Sequence, residues 1–151
     1  MIRVLLVDDD ALTLELHRHY VERLDGFEVV AECTGARAAV SALLENPRAG
    51  DIDLVLLDMT MPDGSGLDVL RHVRARAGTV DVIAITSVRD ADVVRQVIAL
   101  GAMQYLVKPF TFGDFQERMR QYRRFRDQAA LAAGSATQAE IDAMQIGRAH
   151  V

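Results

Sequence analysis

Five short apolar runs punctuate this chain, and each is followed by a stretch with helical spacing. Ile2–Val7, Phe27–Cys33, Asp53–Leu57, Asp81–Thr86 and Gln104–Val107 read as strands. The third is apolar throughout after its first residue, as a strand must be when both faces of its sheet are covered. Helices are predicted over Ala11–Leu24, with Leu12, Leu16, Tyr20 and Leu24 on one face, and over Ala36–Glu45, halted by Asn46-Pro47. Further helices are predicted from a Ser65 cap to about Ala77, over Asp90–Leu100 with Gly101 at its C′ position, and over Thr111–Ala130. Gly26 leads into the second strand, and Met61-Pro62-Asp63-Gly64 is turn chemistry. Five β–α units in succession imply an α/β fold, a doubly wound five-stranded parallel sheet with helices on both faces. Ligands bind such folds beyond the carboxyl ends of the strands.

The 151 residues allow one domain with a proper core and a short appendage. Acidic residues (22) outnumber basic ones (17), for a formal charge of −5, so this chain alone lacks the basic face that nucleic-acid binding needs. No apolar run approaches the ~20 residues that span a bilayer, and the first residues lack signal-peptide character, so a cytoplasmic protein is expected. Cys33, the only cysteine, excludes an intrachain disulfide and reads as a small buried hydrophobe. His17, His19 and His72 lie on predicted helices without ligand spacing and read as surface residues. Lys108 is the only Lys among the 17 basic residues, in a chain that otherwise writes Arg. That usage suits a position needing a compact ammonium on a flexible stem, although a lone Lys must fall somewhere.

The polar residues gather on one edge of the predicted sheet. Asp8, Asp9 and Asp10 follow strand one, Asp58 ends strand three, Thr86 ends strand four and Lys108 ends strand five. Singly, each has an ordinary explanation: Asp caps helices, Thr favours strands, Lys is solvated. Jointly they fit covalent phosphoryl transfer to a carboxylate. Carboxylates without a neighbouring His or Cys suit Mg²⁺. The Lys108 ammonium and Thr86 hydroxyl can offset charge on phosphoryl oxygens. Asp58, ionised at neutral pH, needs no general base.

Val-Asp8-Asp9, Leu-Leu-Asp58-Met-Thr-Met-Pro62-Asp-Gly64, Ile-Thr86-Ser87 and Tyr105-Leu-Val-Lys108-Pro109-Phe110 together resemble the receiver domains of two-component response regulators over about residues 1–126. The resemblance implies a flavodoxin-like receiver fold with strand order 2-1-3-4-5. It implies Asp58 as the phosphoacceptor, and Mg²⁺ held by Asp8, Asp9, Asp58 and the Thr60 carbonyl. Thr86 and Lys108 would contact the phosphoryl group, Thr86 and Tyr105 would form the switch, and Lys108-Pro109 would be a cis peptide. A sensor histidine kinase is the implied donor, with homodimerisation on phosphorylation. Leu-His17-Arg-His19-Tyr20, Gly26-Phe-Glu-Val-Val, Phe110-Thr-Phe112 and Gln138-Ala-Glu-Ile-Asp142 resemble regulators serving citrate and C4-dicarboxylate sensors. Those carry a DNA-binding domain after the receiver, which controls transcription. The expected organisation is therefore a receiver over 1–126, a linker helix extension over 127–136, and the start of a missing output domain over 137–145, opened by a Thr137-Gln-Ala-Glu140 capping box. Residues 146–151 are similar to the translation of a sequencing-adapter oligonucleotide and read as an artefactual tail.

Receivers that lose phosphate quickly often carry amide or carboxylate side chains two residues beyond the acceptor Asp and two beyond the conserved Thr. Thr60 and Val88 occupy these positions here, so slow autodephosphorylation is expected. Two other readings stand beside this one. Asp8-Asp9-Asp10 has a likeness to phosphatases whose nucleophilic Asp follows the first strand; mapping the modified Asp separates the two. A receiver-like interaction module without chemistry would lack one of the acidic pair, the acceptor or the Lys, and all are present.

Overall fold

The first apolar run forms β1 (Ile2–Val7), and the second forms β2 (Phe27–Cys33) beside it in parallel. The computed structural model describes residues 1–45, 49–76, 79–87 and 91–150, with only the backbone course given for Ala49 and residues 134–150. The predicted helix stop at Asn46-Pro47 and the position of Val88 lie outside the described residues. Two compact units divide the chain, Met1–Gln116 and Glu117–Val151.

In the first unit the elements alternate as predicted. β1 is followed by α1 (Ala11–Glu22), and β2 by α2 (Ala36–Val40), which passes into a π-helical turn over Ser41–Glu45. β3 spans Leu54–Asp58, one residue later than its sequence suggests. Asp53 is left outside to accept bonds from the Arg3 backbone N–H (2.9 Å) and guanidinium Nε (3.0 Å). Two short strands follow, β4 (Thr60–Met61) and β5 (Gly64–Ser65), an antiparallel hairpin that the sequence shows only as a turn. After α3 (Gly66–Ala75) come β6 (Asp81–Thr86), α4 (Ala91–Ala99), β7 (Gln104–Val107) and the start of α5 (Phe112–His150). Gly26 and Gly101 both take φ near +87°, and for Gly101 this is the left-handed conformation that its C′ position implies.

The five longer strands pair in the order β2-β1-β3-β6-β7, the 2-1-3-4-5 order once the hairpin is set aside. Every pairing in this sheet is parallel. Along β1 and β3, successive residues point to opposite faces, yet Val4, Leu5, Leu6, Leu54, Val55, Leu56 and Leu57 are all buried. The sheet is therefore covered on both sides. On one of them Leu5, Val7, Val55, Leu57 and Ala84 meet Ala39, Val69, Leu70, Val73 and Val97 of the helices. At the β2 edge the register slips between Val4 and Leu5, so Val30 is an extra residue, a β-bulge on an outer strand.

The buried face of α1 departs from expectation. Leu12 and Leu16 are 75% and 47% exposed, and Leu14, His17 and Val21 are buried instead. Positions repeating every four residues drift around a helix, whereas 14, 17 and 21 step by three and then four and stay in line. The true stripe was hidden because one of its members is a histidine.

In the second unit, α5 runs on to His150 without interruption, passing through residues 137–140 where a separate helix was expected to open. Arg120, Arg123 and Arg124 are exposed, and Arg124 lies 3.7 Å from Glu117.

Candidate functional site

Parallel strands deliver their carboxyl ends to one edge, and the register fixes which residues meet there. Val7 pairs with Leu57, Asp58 with Ile85 and Thr86 with Val107, so Asp8, Asp58, Thr86 and Lys108 emerge on adjacent strands. Asp8, Asp58 and Thr86 are buried, the Lys108 side chain is one-quarter exposed, and Asp9 is exposed. One carboxylate oxygen from each of Asp8, Asp9 and Asp58 lies within 4.8 Å of the others. An all-oxygen anionic set with one open side fits a hard divalent cation such as Mg²⁺, and among the described residues no other group of three such side chains converges.

Lys108 offsets part of this charge. Its Nζ donates to Asp8 Oδ2 at 2.7 Å and lies 3.6 Å from Asp58 Oδ1. Asp8 Oδ1 accepts from the Asp10 N–H (2.9 Å), and Asp58 Oδ1 accepts from the Thr60 N–H (3.2 Å). The Lys108 N–H donates to the Thr86 carbonyl (2.8 Å), which locks the base of the lysine to β6. Lys108-Pro109 is cis, as expected. Burial pushes the Asp58 carboxyl up to about 6, opposed by the Thr60 N–H and the Lys108 ammonium and reinforced by the charges of Asp8 and Asp9. The carboxyl is thus more basic than its ordinary value implies, while still ionised about ten to one at pH 7. Asp10 plays the plainer part: its carboxylate caps α1 through Leu12 N–H and Thr13 Oγ, each at 3.0 Å.

Tyr105 lies opposite Ala84 in the β6–β7 register, and Thr86 opposite Val107, so Thr86 and Tyr105 share a sheet face as diagonal neighbours. Tyr105 is 36% exposed.

Two residues carry more than the sequence revealed. His17 is buried, not at the surface, with its ring stacked on Phe110 at 5.3 Å between centroids. Tyr20, Phe112 and Phe115 extend that cluster. Burial lowers the His17 imidazole to about 4, with the Asp8 charge opposing and Lys108 assisting. His19 and His72 are exposed, as expected, and Cys33 is buried with its thiol pushed up by burial. The second is Gly66. A Cβ there would stand 2.4 Å from the Asp58 carbonyl oxygen and 2.9 Å from Met59 Cα. The backbone behind the acceptor can approach α3 only because this position is glycine. The signal was present: glycine is a poor first residue for a helix that already has a Ser65 cap, whose Oγ accepts from the Asp68 N–H.

The chain matches the family described as the response regulator receiver domain over residues 4–120. It is 37% identical over 143 residues to the transcriptional regulatory protein MalR of Bacillus subtilis, covering 95% of this chain and 59% of that one. It is 35% identical to the probable C4-dicarboxylate response regulator DctR of Priestia megaterium (93% and 60% covered) and 36% identical to the transcriptional regulatory protein DcuR of Escherichia coli K12 (82% and 51% covered). The chain therefore spans between half and three-fifths of the length of these relatives. Among solved structures, it is similar to the CheX–CheY–BeF3–Mg complex of Borrelia burgdorferi, with TM-score 0.74, 25% identity, and coverage of 80% of this chain and 88% of that one. A LuxR-family two-component response regulator of Aurantimonas sp. SI85-9A1 matches with TM-score 0.70, 27% identity, and coverage of 80% and 83%. With the fold, the acidic edge and the family match in agreement, the chain belongs to the response regulator receiver domain family.

Proposed function

We propose that Asp58 accepts a phosphoryl group from a sensor histidine kinase and that the domain thereby controls a DNA-binding output domain outside this chain. The observation that carries this reading is the convergence of the Asp8, Asp9 and Asp58 carboxylates with the Lys108 ammonium between two of them. An Asp58 carboxylate oxygen would attack phosphorus and form an acyl phosphate. The bond from phosphorus to the donor's imidazole nitrogen would break, and its electron pair would return to the ring. Asp8, Asp9, Asp58 and the Thr60 carbonyl would hold Mg²⁺, which would supply positive charge to phosphoryl oxygens when bound. Lys108, released from Asp8, would turn its ammonium to a phosphoryl oxygen, and the Thr86 hydroxyl would donate to another. Thr86 drawn toward the phosphoryl group would leave room on its sheet face for Tyr105 to reorient, a two-state element whose population the modification shifts.

The bound state of the Borrelia burgdorferi neighbour, with BeF3 and Mg, supports the metal assignment, and the C4-dicarboxylate names of the relatives support a related sensory role. No helix among the described residues is long and apolar enough to cross a membrane. A cytoplasmic site of action, self-catalysed phosphotransfer, slow autodephosphorylation and homodimerisation on phosphorylation complete the proposal. Against Asp8 as nucleophile stands the engagement of both its oxygens, one by the Lys108 ammonium and the other by the Asp10 N–H. Incubation with acetyl phosphate and Mg²⁺ should add one phosphoryl mass, abolished by chelation and by Asp58→Asn. Full labelling of Asp58→Asn, or a label mapped to Asp8, would overturn the assignment.

A further inference from the structure

The loop that follows the acceptor is hydrogen-bonded through the Asp63 side chain to the start of a helix 27 residues upstream. α2 starts without a cap of its own: Gly35 stands at the N-cap position and offers no side-chain acceptor. The first N–H groups of a helix have no intrahelical partner and need one from elsewhere. Asp63 supplies it. Its Oδ1 accepts from the Ala36 N–H at 2.8 Å and its Oδ2 from the Arg37 N–H at 3.1 Å. These two bonds hold the Asp63 carboxyl below the usual carboxylate range. The fit is close on both sides. A Cβ on Gly35 would stand 2.9 Å from Asp63 Oδ2, and one on Gly64, where φ is +152°, would stand 3.2 Å from Ala36 Cβ.

Asp63 sits in the turn of the β4–β5 hairpin, whose stem pairs are Thr60 with Ser65 and Met61 with Gly64. At the other end of that stem is the Thr60 peptide, with its N–H on Asp58 Oδ1. Thr60 is also the residue whose carbonyl the proposed function assigns to Mg²⁺. Asp63 therefore ties both the acceptor's hydrogen-bond donor and the backbone ligand to the start of α2.

We infer that Asp63 is a positioning residue for the phosphoacceptor site: by capping α2 from the hairpin turn, it holds the Thr60 peptide where it can serve Asp58 and Mg²⁺. The inference rests on the proposed function and adds a residue that touches neither metal nor phosphate. Orienting groups of this kind are worth about tenfold in metal affinity.

The test separates positioning from mere helix capping. Asp63→Ala removes both acceptors, and Asp63→Asn keeps one and the side-chain shape. Gly35→Ser combined with Asp63→Ala gives α2 a local cap, in a position freed of the 2.9 Å clash, without restoring the tether. Mg²⁺ affinity is read by titration calorimetry, amide exchange at Thr60 by mass spectrometry, and stability by thermal unfolding. Asp63→Ala should bind Mg²⁺ about tenfold more weakly and exchange faster at Thr60, with Asp63→Asn between it and wild type. The double variant should recover Tm but not Mg²⁺ affinity. Wild-type affinity in Asp63→Ala, or affinity that returns together with Tm in the double variant, refutes the inference alone. A wild-type protein that takes up neither Mg²⁺ nor a phosphoryl group refutes the phosphoacceptor reading beneath it.

Discussion

Acid should act on this domain through two buried groups of opposite sign. His17 titrates near 4 in the folded protein against an ordinary 6.5, so the unfolded chain binds its proton first. The stability that the neutral ring contributes is complete above pH 6.5 and is lost as pH falls toward 4. A gap of about 2.5 pH units at about 1.4 kcal/mol each makes this roughly 3 kcal/mol. Asp58 works the other way. Its folded carboxyl titrates near 6 against an ordinary 3.8, so the folded protein binds that proton first. Its penalty is complete above pH 6 and is relieved as pH falls toward 3.8, again by roughly 3 kcal/mol. In wild type without divalent cation the two nearly cancel, and stability contributed by this pair should be almost flat between pH 6.5 and pH 4. Asp58→Asn removes the compensating slope: the variant should be more stable than wild type at pH 7 and lose roughly 3 kcal/mol on the way to pH 4. His17→Phe, which keeps an aromatic ring against Phe110, should instead gain stability over the same window. Urea unfolding followed by far-UV circular dichroism at several pH values measures all three. Parallel curves for wild type and both variants would refute the reasoning.

Other expectations follow from the same geometry. Lys108→Arg keeps the charge but replaces a compact ammonium, seated 2.7 Å from Asp8, with a planar fork; phosphorylation should survive while activation fails. Beryllofluoride should then change amide exchange at Tyr105 in wild type and leave it unchanged in Lys108→Arg, and an unchanged wild type would contradict the switch. Gly66→Ala drives a methyl into the Asp58 carbonyl, so it should cost about 3 kcal/mol or more and depress phosphorylation; a near-neutral Tm would show that the backbone yields. The phosphorylated state should decay slowly, because Thr60 offers only a short hydroxyl and Val88 no hydrogen-bonding group to align a hydrolytic water. Thr60→Asn with Val88→Glu should speed the decay measured after donor removal, and equal rates would count against this account.

Strand positions and the acidic edge were legible because both rest on short-range pattern. Apolar runs of strand length mark β1, β2, β6 and β7 to the residue, and a parallel doubly wound sheet carries whatever follows each strand to one edge. Asp8, Asp9, Asp58, Thr86 and Lys108 could therefore be gathered before any distance was known. Contacts set by tertiary approach were not legible. A histidine on a helix reads as polar until the aromatic rings of Tyr20 and Phe110 are in place against it. Asp63 looks like an ordinary turn residue until α2 is seen against it, since its partners are 26 and 27 positions away. The pattern of α1 misled for a related reason: leucines at 12 and 16 advertise a face that the fold leaves to solvent.

The bulge at Val30 bears on how such a domain can be joined to others. β2 is an outer strand, and a straight, apolar outer strand is a template on which a second chain can add its own. Here the extra residue interrupts the regular spacing, Glu28 and Glu32 flank it, and Arg18 grips Glu32 at 3.1 Å across the margin. The sheet is thereby finished on this side. A receiver built this way can be crowded beside identical copies without a second chain adding a strand beside β2.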